Sequence, residues 1–238
     1  MNPAPTGTVA ADPATATMIS LVGSLADNKS ALGRRYGEWA VSAPTIESAV
    51  AAAAMAQDEL GHARSTYPVL AKLGAPRADE GLDAGRPMPV LAGELPDWAS
   101  FIAANLVIDG ILTTFVATAR DSSIESLAQR ARKILQEEGA HRVHAEAWLR
   151  RMCRSGGDDA ALLRRRIGEM WAQAARWPGP DDHPGYRAAR AAGMLSDGPD
   201  AIRANVRDWL SVRLDAETCG VALDDPSDWS GWDETTRR

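Results

Sequence analysis

Asp58-Glu59-Leu60-Gly61-His62 and Glu138-Gly139-Ala140-His141 decide how this chain reads. Each holds a Glu-x-x-His pair inside a long segment with helical periodicity. Side chains three apart leave the same face of a helix, so each pair presents a carboxylate and an imidazole together. One such pair arises cheaply by chance, and its bland reading is a surface Glu beside a satisfied core His. Two pairs in one chain, each on an amphipathic helix facing a partner helix, argue for a shared metal.

Outward from these pairs the chain resolves into hairpins. A first helix over about Met18 to Val41 carries the apolar stripe Met18, Leu21, Val22, Leu25, Leu32, Tyr36 and Trp39. Ser42-Ala43-Pro44-Thr45 breaks it, with Pro44 suited to open the next helix. That helix, about Thr45 to Leu73, holds Glu59 and His62, and Pro68 is expected to kink or end it. Gly74 to Pro96 is rich in Gly, Pro and Asp and reads as a long crossover. A third helix, about Trp98 to Arg120, turns Phe101, Asn105, Ile108, Leu112, Phe115 and Val116 inward. After the turn Asp121-Ser122-Ser123, a fourth helix over about Ile124 to Arg154 holds Glu138 and His141. Further helices are expected over about Ala160 to Trp177, Tyr186 to Met194 and Asp200 to Thr218. Residues 1–17 read as a disordered tail, 18–220 as one helical domain and 221–238 as a polar C-terminal tail.

In an antiparallel hairpin, residues equally far from the turn face each other. The turn near Ser123-Ile124 therefore places Asp109 opposite Glu138. Asp109 also lies on the apolar stripe, where a lone carboxylate is costly without a partner or a metal; its other reading is a buried acid in a polar network. The same operation on the first hairpin places Lys29 opposite Glu59, on the core face between Leu25 and Leu32. Asp27 points roughly 200° away from it, and Glu38 sits too near the turn. Lys29 is read either as a modifier of a metal site or as an ammonium that replaces metal charge by pairing with Glu59 and Asp109.

Composition excludes other classes. At 238 residues the chain has room for one generous core, and its Ala-rich, β-branch-poor make-up favours helices. A net charge of −6 argues against a nucleic-acid partner. Cys153 and Cys219 have neither metal nor redox spacing and suit a reducing cytoplasm. The first residues lack a signal-peptide pattern, and no run reads as a membrane span of about 20 apolar residues. Trp39, Trp148, Trp171, Trp177 and Trp209 are expected as core or interface anchors. His144 is either a core residue or a support for the site, and Arg64 and Arg142 are solvated-face residues with some potential to meet phosphates.

Two carboxylate helices and two Glu-x-x-His helices define the all-α, ferritin-like four-helix bundle that holds two iron or manganese ions; this chain supplies five of those six ligand positions, with Lys29 in the sixth, and reads as such a bundle with a long crossover and additional C-terminal helices. The segments Ala43-Pro44-Thr45, Gln57-Asp58-Glu59-Leu60-Gly61-His62, Val107-Ile108-Asp109-Gly110 and Glu137-Glu138-Gly139-Ala140-His141 resemble the catalytic A subunit of the multicomponent phenylacetyl-CoA epoxidase family. Leu32-Gly33-Arg34-Arg35-Tyr36-Gly37-Glu38-Trp39 is more similar to its non-catalytic C subunit. The resemblance spans roughly Leu21 to Arg151. It implies a non-haem, di-iron-type monooxygenase acting in phenylacetate and aromatic-compound catabolism. Glu59, His62, Asp109, Glu138 and His141 would hold one or two iron ions, with manganese compatible, and Glu59, Asp109 and Glu138 would take part in catalysis. Where the family's first-helix Glu belongs, Lys29 stands. The substrate implied is an organic acid carried as a CoA or carrier-protein thioester. The implied partners are a related subunit in a homodimer or heterodimer and a reductase. The rival reading is a scaffold subunit whose metal site is closed by Lys29.

Overall fold

The computed structural model describes residues 12–75 and 85–238. Two helical hairpins make its centre. In the first, α1 (Pro13–Trp39) packs along α2 (Ile46–Lys72). Asp12 caps α1 by accepting the backbone N–H groups of Ala14 and Thr15, and Thr45 caps α2 through Ser48 N–H. Helix α1 thus starts earlier than the sequence suggests: residues 13–17 are helical, and only 1–11 of the expected tail lie outside the described residues. Thr45, not Pro44, opens α2. Pro68 does not stop it, because the proline sits on the exposed side while Val69 and Leu70 bury the last turn.

Gly33 sets how closely α1 and α2 approach. A Cβ there would lie 2.7 Å from Leu60 Cγ and 3.0 Å from the Ala56 carbonyl oxygen. The connection to the second hairpin contains a short helix, α3 (Pro89–Ala92), and its residues 76–84 lie outside the described residues.

The second hairpin joins a composite helix to α6 (Glu125–Ser155). The composite helix comprises α4 (Trp98–Ala103), a π-helical segment (Ala104–Asp109) and α5 (Gly110–Thr118). The span Trp98–Thr118 is long and apolar enough to cross a membrane, contrary to the sequence reading. It is apolar on all sides because it is the central helix, enclosed by α6, α7 (Gly157–Ala174) and α9 (Pro199–Ala216). Helix α8 (Pro184–Ala191) packs on α1. Among the described residues there is no strand, and the architecture is the all-α ferritin-like bundle.

The segment after α9 is polar in composition but is built into the fold. Trp171 Nε1 donates to the Asp224 carbonyl at 2.8 Å. Arg237 is 1% exposed and donates to the Trp177 and Pro178 carbonyls at 2.7 and 2.5 Å. Thr17 Oγ1 donates to Glu234 at 2.7 Å, which ties this strap to the start of α1.

Candidate metal centre

Each of the four bundle helices delivers a charged side chain to one point. Helix α1 supplies Lys29, α2 supplies Glu59 and His62, the end of the π segment supplies Asp109, and α6 supplies Glu138 and His141. All six are buried. The π segment ends at Asp109; the wider turn adds to the helical register at the residue that must reach inward, a placement common at functional sites.

Lys29 Nζ occupies the middle. It donates to Glu138 Oε1 at 2.5 Å, to Asp109 Oδ1 at 2.6 Å and to Glu59 at 3.1 Å. Burial alone would lower its pKa, but Asp109, Glu138 and Glu59 outweigh burial and hold the ammonium charged, well above the ordinary lysine value. The converse holds for two of the acids. Burial raises Glu59 and Glu138, yet Lys29 and the two imidazoles pull both below the ordinary glutamate value. Asp109 is pushed up to about 6 by burial and by the charges of Glu138 and Glu59, with Lys29 opposing.

His141 Nδ1 lies 3.3 Å from Glu59, 3.3 Å from Glu138 and 3.5 Å from Asp109. His62 Nδ1 lies 3.4 Å from Glu138 and 3.8 Å from Glu59. None of these contacts has hydrogen-bond geometry: both Nδ1 atoms and Glu59 Oε2 are buried without a hydrogen-bond partner. Glu59, Asp109, Glu138 and His141 each offer a ligand atom within 4.8 Å of the others. Glu59 Oε2 is ion-paired with Lys29 Nζ at 3.1 Å, and the two imidazole Nδ1 atoms, buried without a hydrogen-bond partner among carboxylates, fit a cation. Three carboxylates carry −3, so one divalent ion plus the Lys29 ammonium balances them, whereas two ions would leave an excess of positive charge in a low-dielectric site.

The outer imidazole nitrogens are crossed between the motifs. His62 Nε2 meets Glu137 at 2.9 Å, and His141 Nε2 meets Asp58 at 3.3 Å. The acid preceding each motif Glu therefore orients the other motif's histidine, as metal-bound imidazoles require. Sequence reasoning missed Asp58 and Glu137, although the repeated acid-Glu-x-x-His pattern carries the signal. Asp27 is turned away as expected, accepting Tyr67 OH at 2.7 Å and Arg86 N–H at 2.9 Å. Glu38 pairs with Arg35 at the surface. His144 lies edge-on to Trp98 and Phe101, apart from the six-residue cluster.

A cavity of about 360 Å³ between the π segment, α5, α6 and α9 reaches Asp109 and Glu138. Asn105 and Thr113 line its inner part, and Thr113 Oγ1 donates to Asp109 at 3.4 Å. Arg142 and Trp209 line its outer part, with the guanidinium 4.2 Å above the indole.

Fold and site together define a ferritin-like protein with a carboxylate–histidine centre, and the chain belongs to the phenylacetic acid catabolic protein family, whose model matches residues 1–236. Among curated proteins it is similar to the C subunit of 1,2-phenylacetyl-CoA epoxidase of Escherichia coli (strain K12), with 27% identity over 153 residues. That match covers 62% of this chain, and the chain spans 62% of the relative's length.

Proposed function

We propose that this chain is the oxygen-activating subunit of an oxygenase of the phenylacetyl-CoA epoxidase type, hydroxylating or epoxidising an organic acid carried as a CoA or carrier-protein thioester. The observation that carries this reading is the set of four donors around one point, Glu59, Asp109, Glu138 and His141, with His62 beside Glu138, and two of the four line a cavity large enough for a small acyl group. Glu59, His62, Asp109, Glu138 and His141 would hold iron, or manganese with the same donors. Bound there, iron supplies the activation of O₂. Asp58 and Glu137 fix the imidazole rings, Thr113 steadies Asp109, and Lys29 supplies the positive charge that a second ion would bring. The exposed Arg142 at the cavity mouth suits the phosphates of a thioester carrier. The reading includes a related subunit in a homodimer or heterodimer, a reductase that delivers electrons, and a reducing cytoplasm for the two free cysteines.

A second reading is a scaffold subunit of a multicomponent oxygenase. It is favoured by Lys29, whose ammonium already pairs all three carboxylates, and by the likeness to a relative named for the C subunit of its enzyme.

Elemental analysis after expression in iron-supplemented medium separates them. The oxygenase reading expects about one iron per chain, as the charge balance dictates. It also expects Lys29→Glu to raise occupancy towards two, since the added carboxylate gives −4 of ligand charge. Absence of metal even after anaerobic Fe(II) reconstitution would overturn the oxygenase reading and leave the scaffold. An unchanged metal count in a folded Lys29→Glu protein would show that Lys29 does not hold the second position.

A further inference from the structure

Tyr36 lies on the same face of α1 as Lys29, two turns on, fully buried, and its hydroxyl has no hydrogen-bond partner among the described residues. The neighbouring Asn105 amide donates to Met55 Sδ at 3.3 Å; it also lowers the phenol's pKa, an influence that can favour the phenol oxygen but gives its O–H no acceptor. Burial, with the charges of Asp109, Glu59 and Glu138, holds the phenol well above the ordinary tyrosine range, so it is neutral and within electrostatic reach of all three carboxylates. A buried donor left unpaired is costly, and phenylalanine would fill the same space without that penalty.

Aromatic rings continue from Tyr36 to the surface. Its ring centroid lies 4.8 Å from that of Phe101, and Phe101 stacks on Trp98 at 4.4 Å with only 10° between planes. Trp98, whose indole N–H is also unpartnered, meets Trp39 edge-on at 5.4 Å. Trp39 is the last residue of α1 and is half-buried. Trp148 also touches Trp98 at 5.3 Å, but the Arg151 guanidinium lies 4.7 Å over its ring. A cation held over a ring opposes removal of an electron from it. Among the described residues no guanidinium lies over Trp39, which makes it the easier terminus.

We propose that Tyr36, Trp98 and Trp39, bridged by Phe101, form a one-electron relay between the buried carboxylate–histidine centre and the surface. Its use rests on the oxygenase reading: it drains oxidising equivalents when no substrate consumes them. With an oxidised metal ion held there, Tyr36 would give up one electron, and its phenolic proton would pass to the carboxylate cluster whose charges bear on the phenol. Trp98 returns the electron to Tyr36, which recovers its proton. Trp39 reduces the Trp98 radical cation, and a soluble thiol reduces that of Trp39. The net change is one electron gained by the metal ion and one thiol converted to half a disulfide with release of a proton.

The connectivity of the relay is testable in the metal-free protein by pulse radiolysis, which drives the Tyr36–tryptophan step in the reverse direction. Azide radical removes an electron from exposed tryptophan, becoming azide, and the oxidised indole sheds its N–H proton to water. The relay then predicts that tryptophyl absorption converts to tyrosyl absorption in a first-order phase independent of protein concentration. In that phase Tyr36 gives up one electron and its phenolic proton, and the tryptophyl site gains one of each. Tyr36→Phe, which removes only an unpaired hydroxyl, should abolish the phase; Tyr67→Phe should retain it. Trp98→Phe should slow it, and Trp39→Phe serves the same purpose if that core variant does not fold. Absence of the phase in the wild type, or its persistence at full amplitude in Tyr36→Phe, would overturn the relay. Because no metal is needed, an iron-binding chain without transfer sinks the relay alone. Transfer in a chain that binds no iron sinks the oxygenase reading alone.

Discussion

Lys29 shows how much one residue decides. Without metal, its ammonium and two protonated imidazoles offset the three carboxylates, so the buried cluster is close to neutral. His62 illustrates the balance. Burial disfavours its charged form, but Glu138 and Glu59 outweigh burial and raise its pKa from 6.5 to about 9. A raised folded-state value contributes stability that is fully present below pH 6.5 and is lost as pH rises through about 9. The loss is on the order of 3 kcal/mol. Urea midpoints of the metal-free protein should fall across that window, and His62→Gln should flatten the profile. Iron uptake should improve over the same range, because a ligating imidazole must be neutral. A flat profile in the wild type would show that His62 is already neutral.

At the scale of elements, the contact between α1 and α2 positions Lys29 against Glu59. Gly33, one turn from Lys29, and Leu60, next to Glu59, form that contact. Ala is favoured over Gly within a helix by about 1 kcal/mol, but here its Cβ would press on Leu60 Cγ and the Ala56 carbonyl. Overpacking of this kind costs about 1–3 kcal/mol, so Gly33→Ala should lower the thermal midpoint, not raise it. Thermal unfolding followed by circular dichroism checks the sign; a stabilised variant would mean that α1 and α2 part without strain. The bounds of α2 and α6 were legible from periodicity and from the turns that flank them, although Thr45 and not Pro44 opens α2 and no side chain caps the N-terminus of α6. The π segment was not, because its wider turn leaves the apolar pattern unbroken in a helix buried on every side.

Over the whole molecule, the strap after α9 closes the fold by joining its last residues to α1 and to the loop after α7. Arg237 is the anchor. Its guanidinium is buried, donates to the Trp177 and Pro178 carbonyls, and lies 5.2 Å from the Trp232 ring centroid. Arg237→Ala leaves those buried acceptors unpaired, at a cost of about 1–3 kcal/mol each. The expected outcome is a clearly lower urea midpoint with the metal content of the folded fraction unchanged, since the strap is remote from Glu59 and Glu138. A midpoint equal to wild type would show that the strap only decorates the surface.

The sequence by itself determined the long helices, their pairing into hairpins and which charged residues face one another across each hairpin, because the constraints involved are local or nearly so. Glu-x-x-His spacing is a property of one helix, and mirror placement across a short turn is a property of one hairpin. It also carried the oddity of Lys29, since a lysine among Leu25 and Leu32 must find acids. What remained undecided were distances and partners between hairpins. Only the folded chain crosses Asp58 to His141 and Glu137 to His62, sets Lys29 against three acids at once, and lines Tyr36, Phe101, Trp98 and Trp39 into one file. The physical reason is that these contacts join residues far apart in the chain, whose meeting depends on how two hairpins pack and not on the periodicity of either.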